Sequence, residues 1–333
     1  MNKLALESVL PRGLAALERA LAPDGVSSLD PMVPTALWRL ALAGPAADFL
    51  ARPGKELRTS IVRAGWALGG GGPTAMPDRL ANVLELLHAG SLIVDDVEDG
   101  SELRRGTPAL HRMVGVPLAI NTGSWMYFWA LAELAELQLD GAVELAVRTL
   151  VRCHQGQALD LAVRVVDLDV VYASSVVETM TNLKTGQLCR LAGELGAIAA
   201  GAPAASRAAI GQFAETAGVA LQMLDDLGSL ASRRDKGLED LRNARATWPW
   251  AWLADRDPFA WSRLVGMARQ VVAGEGDANA LADELVALVG ATGRDRIRAT
   301  LDGAAAGLVI ALGSSPAVDA VIAELRRMET SYG

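Results

Sequence analysis

Residues 78–99 read DRLANVLELLHAGSLIVDDVED. Leu80, Val83, Leu84 and Leu87 recur at three- and four-residue spacing, the period of an amphipathic helix rather than of a strand. The run ends in Asp95, Asp96, Glu98 and Asp99, followed by the turn residues Gly100 and Ser101. A second stretch has the same build: Phe213, Ala217, Ala220, Leu221 and Leu224 share a face, and Asp225-Asp226 closes it. The helical period governs nearly all of the chain. Breaks between runs are short, as at Gly69 to Pro73, Gly201-Ala202-Pro203, Trp248-Pro249 and Ser314 to Pro316, and none is a long linker. The expected architecture is therefore all-α, in a single domain over residues 1–333. Val165 to Val171 could pass for a strand, but its place between helical runs argues against it.

The 333 residues carry 31 Lys plus Arg against 39 Asp plus Glu, a net charge of −8. That balance argues against nucleic-acid binding, which needs a basic surface to displace counterions. It leaves room for small phosphorylated ligands, which need only local positive charge. With 51% hydrophobic and 21% charged residues the chain can bury a large core. Length alone would allow about two domains. Two cysteines, Cys153 and Cys189, cannot build a disulfide framework, which points to a reducing, cytoplasmic setting. Lys3, Glu7 and Arg12 interrupt the N-terminal apolar residues, so no signal-peptide core is expected there. No apolar run reaches the ~18 residues of a membrane span.

The aspartate clusters are costly as plain helix ends. Aspartate is a weak helix former. Carboxylates at a helix C-terminus oppose the macrodipole by roughly 0.3–1 kcal/mol each. Asp95 and Asp99 also repel at i,i+4. A solvated acidic end is the commoner reading of a charge run, but this combination favours a compensating cation. Hard oxygen ligands suit Mg²⁺, which takes one or two carboxylates plus substrate phosphates. Asp225-Asp226, with Gln222 one turn earlier, would be the second wall of the same cavity. Basic residues lie close in sequence: Lys55 and Arg58 near a helix start, Arg104-Arg105-Gly106 in a short loop after the first cluster, Lys184, and Lys236. Singly each reads as a surface charge; among carboxylates they fit diphosphates held both through Mg²⁺ and directly. His88 stands seven residues before Asp95, on nearly the same face. The three histidines form no His-x-x-x-His pair, which argues against zinc.

At this point the chain resembles the trans-isoprenyl diphosphate synthases, the polyprenyl synthetase family. Asp95-Asp96-Val97-Glu98-Asp99 is a DDxxD, continued by Leu103-Arg104-Arg105-Gly106-Thr107-Pro108-Ala109-Leu110-His111, similar to LRRGxPxxH. Upstream, Glu85 to Leu92 matches E-x-x-H-x-x-S-L, and Gly54-Lys55-x-x-Arg58 matches GKxxR. Gly156-Gln157-Ala158-Leu159-Asp160 matches GQxxD, Lys184-Thr185-Gly186 matches KTG, and Leu221 to Asp226 resembles FQxxDD with Leu for Phe. The matches run in the family's order from about Gly54 to Pro249. The closest likeness is to geranylgeranyl diphosphate synthases of the eukaryotic type, in the style of Pro53-Gly54-Lys55, Ile120-Asn121, Tyr127-Phe128 and His154-Gln155-Gly156-Gln157. There are two departures: Ser229 stands where many members carry a third Asp, and Ala244-Arg245 stands where the family has a second Gly-Lys.

The resemblance implies an isoprenoid synthase helical bundle around a central active-site cavity, and head-to-tail condensation of two diphosphates. The allylic diphosphate would be held by Mg²⁺ on Asp95, Asp99 and Asp225, with Asp96 and Asp226 as ligands or just behind them, and three ions with substrate bound. Arg104, Lys184, Lys236 and Arg245 would hold its oxygens; Lys184, Thr185 and Gln222 would stabilise the allylic cation. Isopentenyl diphosphate would sit on Gly54, Lys55, Arg58, His88 and Arg105. Gly90 and Ser91 are small and would leave room for the product tail, above a floor of Tyr127, Phe128 and His154; the plainer reading makes Tyr127, Phe128 and Trp129 core aromatics. Geranylgeranyl diphosphate is the expected product and a homodimer the implied assembly, with neither nucleic acid nor membrane as partner. Farnesyl or longer products, a terpene cyclase and a non-catalytic regulatory subunit are the competing readings. The last two would predict a damaged isopentenyl site or a broken first motif.

Overall fold

The computed structural model describes residues 33–52, 57–72, 76–232 and 235–332. Gly54 and Lys55 lie outside the described residues. The expected all-α architecture is what the chain adopts. Helices α1 (Thr35–Trp38), α2 (Gly44–Leu50), α3 (Leu57–Leu68) and α4 (Asp78–Glu98) are followed by a hairpin of β1 (Leu103–Arg104) and β2 (Thr107–Pro108). Then come α5 (Leu110–Val114), α6 (Val116–Glu136), α7 (Ala142–Ala162), α8 (Val170–Thr181), α9 (Gln187–Ala199) and α10 (Ala204–Ala231). The series ends with α11 (Asp235–Arg242), α12 (Trp248–Arg256), α13 (Pro258–Val272), α14 (Ala278–Leu312) and α15 (Pro316–Tyr332). The described residues group into two compact units, one from residues 33–63 and 76–144, the other from 64–72 and 145–332.

In the first unit α4 packs along α6. Leu80, Val83, Leu84 and Leu87, the residues that set the helical period, are all fully buried or nearly so. Two glycines let the helices approach closely: a Cβ on Gly90 would lie 2.8 Å from the Gly123 carbonyl oxygen, and one on Gly123 would lie 2.9 Å from that of Gly90. Helix α4 stops through a Schellman turn, in which Ser101 N–H donates to the Asp96 carbonyl and Gly100 N–H to that of Val97. Gly100 supplies the positive φ of 65° that this turn needs.

The segment read from sequence as a loop, Arg104-Arg105-Gly106, is the tip of an antiparallel hairpin with Arg104 opposite Thr107. Arg105 and Gly106 both have positive φ, 56° and 78°, the conformation of a two-residue type I′ turn. Arginine is an uncommon residue there, which is why the sequence gives no hairpin signal.

In the second unit α8 runs through a π-helical turn, Asn182–Gly186, into α9. Helix α10 packs on α9 and on α14. Around α12, Trp250 and Trp252 are each only 1% exposed, and Trp250 meets Trp261 edge to face. Val165–Asp167 forms a short 3₁₀ turn rather than a strand, and Arg164 beside it makes an isolated antiparallel bridge with Arg245.

Candidate functional site

The first group of charges belongs to the first unit. Asp96 is completely buried, and its Oδ1 accepts from Arg104 Nε at 2.6 Å, while Arg104 also reaches Asp95 Oδ2 at 3.4 Å. Burial raises the Asp96 carboxyl above its ordinary value, against the hydrogen bond and charge of Arg104. The second oxygen, Oδ2, has no hydrogen-bond partner. Asp95 and Asp99 sit beside it, partly open to solvent. Asp96 thus faces inward and orients Arg104, while the i,i+4 pair keeps the outer positions.

Three of the residues expected at the isopentenyl site come together here. Burial, then the charges of Arg58, Arg105 and Arg104, hold His88 well below its usual value, so the imidazole is neutral near pH 7. A neutral imidazole can donate from one nitrogen to a phosphate oxygen without adding a fourth positive charge to these three. Thr59 donates to Glu85 at 2.9 Å. Arg58 Nε is buried without a hydrogen-bond partner. Sequence reasoning missed Arg52, which belongs to the same cluster: it is 8% exposed, and its carbonyl accepts from Arg105 Nη1 at 3.2 Å. Nothing in its sequence neighbourhood, Ala51-Arg52-Pro53, marks it out.

Each residue expected to set chain length has its own local setting. Gly90 is buried in the contact with α6, and Ser91 Oγ donates to the His88 carbonyl at 2.8 Å. Tyr127 is half-buried. Phe128 is 71% exposed, and so not a core aromatic of its unit. His154 lies on an exposed turn of α7 in the second unit. Of the aromatic trio only Trp129 is core; it stacks on Trp125 with centroids 4.9 Å apart.

The second group lies in the second unit. The π turn brings Lys184 Nζ to 2.6 Å from Asp160 Oδ2 and sets Thr185 Oγ1 3.4 Å from Gln222 Oε1. Such turns displace side chains from helical register and recur at functional sites. Just beyond it, buried Gln187 donates to Glu215 at 2.8 Å, fixing the end of the turn against α10. Gln222 Nε2 donates to Asp226 Oδ1 at 2.7 Å, and Trp248 N–H to Asp226 Oδ2 at 3.2 Å. Burial pushes Asp226 up to about 6, against Lys236 and these hydrogen bonds. Lys236 Nζ lies 2.9 Å from Asp225 Oδ2. Against the desolvation that would lower it, Asp225, Asp226 and Asp240 hold the Lys236 ammonium well above its usual range.

Both departures have a structural setting. Ser229 is 3% exposed within α10 and its carbonyl abuts Gly237, so a carboxylate there would be enclosed. Ala244 adopts φ 53° after α11, with Arg245 N–H donating to the Asp240 carbonyl and Val165 N–H to that of Ala244. Arg245 Nη1 donates to the main-chain oxygen of Asp160 and lies 3.7 Å from its Oδ1. Lys184 and Arg245 therefore converge on one aspartate.

Among the described residues no three His, Cys, Asp or Glu side chains are grouped to hold an ion unaided. The donors fit Mg²⁺ all the same. They are hard carboxylate oxygens in ones and twos, the number an ion needs when diphosphate oxygens complete its shell.

All-helical, with aspartates paired to fixed cations, the chain has the build of proteins that handle diphosphates through divalent metal. It belongs to the polyprenyl synthetase family, which matches residues 40–278. Its relatives include geranylgeranyl pyrophosphate synthase 2 of Zymoseptoria tritici, 36% identical over 62% of this chain and 63% of that protein. Another is geranylgeranyl pyrophosphate synthase dpasD of Apiospora sacchari, 32% identical over 70% of this chain and 69% of that protein. The alignments thus span about two thirds of these relatives' length. Among solved structures, the polyprenyl synthase of Caulobacter crescentus complexed with calcium and isoprenyl diphosphate superposes with a TM-score of 0.77. It covers 98% of this chain and 96% of that one at 23% identity. Heptaprenyl diphosphate synthase from Staphylococcus aureus gives a TM-score of 0.78 at 18% identity, covering 99% of this chain and 98% of that one. At those identities the likeness is one of fold.

Proposed function

We propose that this protein is a Mg²⁺-dependent prenyltransferase that condenses isopentenyl diphosphate with an allylic diphosphate to give geranylgeranyl diphosphate. The observation that carries the reading is the sorting of charge. Carboxylates for metal and cations for phosphate are paired in two places: Asp95, Asp96 and Arg104 at the end of α4 in one unit, and Asp225, Asp226 and Lys236 in the other, where the aspartates lie inside α10 rather than at its end as the sequence suggested. The geranylgeranyl pyrophosphate synthases among its relatives support the choice of product.

Asp95, Asp99 and Asp225 are assigned as the metal ligands, for three Mg²⁺ ions when substrate is bound. The ions would neutralise the departing diphosphate. Arg104, Lys184, Lys236 and Arg245 bind its oxygens, fixed by the aspartates described above, so little reorganisation is needed as charge develops. Thr185 and Gln222, tied to each other and to Asp226, offer oxygen dipoles to the allylic cation left behind. Arg58, Arg105 and neutral His88 hold the diphosphate of the isopentenyl partner, whose double bond attacks that cation. The released diphosphate takes the final proton.

We assign both units to a single catalytic domain working in the cytoplasm; no described helix is long and apolar enough to cross a membrane. Helix α6 supports a homodimer. Val116, Ile120 and Phe128 share one helical face and are 45%, 43% and 71% exposed, an apolar stripe suited to a second copy.

The test is to incubate purified protein with Mg²⁺, labelled isopentenyl diphosphate and, separately, dimethylallyl, geranyl or farnesyl diphosphate, and to separate the products by chromatography. Geranylgeranyl diphosphate is expected; no elongated diphosphate with any primer overturns the proposal.

A further inference from the structure

The hairpin that carries Arg104 and Arg105 is only two residues per strand, too short to hold its own shape. Arg104 is fixed by Asp96, within its own cluster. Arg105, at the turn, is held by a different residue. Arg52, just beyond the end of α2, donates from Nη1 to the carbonyl of Pro108 in β2 at 2.9 Å, while its own carbonyl accepts from Arg105 Nη1 at 3.2 Å. The Arg52 guanidinium is itself locked. Nη2 lies 2.7 Å from Asp48 Oδ2 and 3.3 Å from Met113 Sδ, and the guanidinium carbon sits 5.3 Å from the centre of the Phe49 ring. A residue this buried and this fully bonded cannot turn toward a ligand; what it can do is fix its neighbours.

We propose that Arg52 is a positioning residue for the isopentenyl diphosphate site: it ties the 103–108 hairpin to the end of α2 and so sets the place of Arg105. The inference rests on the assignment of Arg105 to isopentenyl diphosphate. The side chain reaches the hairpin at the Pro108 carbonyl while bonding Asp48 and Met113, and that needs several donors in a fixed plane; held there, the Arg52 main chain keeps its carbonyl in place for Arg105. Arginine supplies five and lysine's single ammonium cannot reproduce the fork. The tie acts on one substrate more than the other, because Arg104 keeps its own anchor in Asp96.

Three variants test this: Arg52→Lys, Asp48→Asn, which loosens the tie at a residue whose side chain is 43% exposed, and Arg105→Met as the control. Steady-state kinetics are measured with each diphosphate varied in turn. Arg52→Lys should raise KM for isopentenyl diphosphate about tenfold while KM for the allylic diphosphate stays within about twofold. Asp48→Asn should move the same KM in the same direction by less. An unchanged isopentenyl KM in Arg52→Lys, or an equal rise in both KM values, overturns the proposal. If Arg105→Met leaves the isopentenyl KM unchanged, it is the assignment of that site that fails; if it raises that KM and Arg52→Lys does not, Arg52 is only a packing residue.

Discussion

Arg104 Nε lies 2.6 Å from Oδ1 of an aspartate, Asp96, that has no accessible surface at all. Removing one member of a buried ion pair leaves the other charge without compensation, at a typical cost of about 3–5 kcal/mol. Arg104→Met should therefore destabilise the protein by about 3 kcal/mol, since Asp96 must stay in place and either ionise alone or take up a proton. In the double variant Arg104→Met/Asp96→Leu most of that loss should return. Urea denaturation of the two singles and the double measures the coupling. Additive effects would show that the two side chains do not depend on each other.

Asp226 and Asp240 give the metal-free protein a distinctive pH dependence. Burial pushes them up to about 6 and about 7, well above the 3.8 of an unfolded chain. Asp240 is faced by Lys236 and Arg245, which oppose the shift, and by Asp226 and Asp160, which add to it. A carboxyl with a raised folded pKa holds its proton more tightly in the native state, so stability falls as pH rises from the unfolded pKa through the folded one. Measured in EDTA from about pH 5 to about pH 8, the urea midpoint should fall, and Asp240→Asn should flatten the slope. A variant with the wild-type slope would exclude Asp240 as its source.

Gly90 and Ser91 separate two effects that look alike in sequence. A Cβ on Gly90 meets the Gly123 carbonyl at 2.8 Å, so Gly90→Ala should cost about 1–3 kcal/mol through forced separation of α4 and α6. Ser91 is half-buried and carries only a hydrogen bond to the preceding turn. Ser91→Phe should instead leave the thermal midpoint within a few degrees and shorten the main product. Product chromatography beside a melting curve distinguishes them; an unchanged product from a stable Ser91→Phe would place the growing tail elsewhere.

The all-helical fold was legible because its signal is periodic: Leu80, Val83, Leu84 and Leu87 announce a buried face directly. The charged clusters were legible as carboxylates interleaved with cations, and the structure pairs Asp96 with Arg104 and Asp225 with Lys236. What escaped was set by tertiary contact. Gly90 reads as empty space in a sequence, and only the approach of Gly123 shows that a backbone fills it. The Arg105 turn has no glycine at its first position, so nothing local marks the hairpin. Arg52 has partners four, fifty-six and sixty-one residues away, and no pattern of spacing could have collected them. Arg245 looked like a plain phosphate ligand; its bond to the Asp160 main chain gives it a second duty.

That second duty makes Asp160 the residue on which the two cations depend. Lys184 Nζ lies 2.6 Å from its Oδ2, and Arg245 is bonded to its carbonyl. Two roles can be told apart. If the carboxylate places Lys184, an amide should serve nearly as well, because it keeps an oxygen acceptor at the same point. If its negative charge is what counts, asparagine should behave like alanine. Titration calorimetry of inorganic diphosphate in the presence of Mg²⁺ reads the difference without requiring turnover. We expect Asp160→Ala to weaken binding about tenfold, equivalent to about 1.4 kcal/mol, and Asp160→Asn to stay within about threefold of wild type. Equal losses in both would assign the effect to charge. No loss in either would mean that Lys184 reaches the diphosphate without support, and that Asp160 serves only to join α7 to the segment around Arg245.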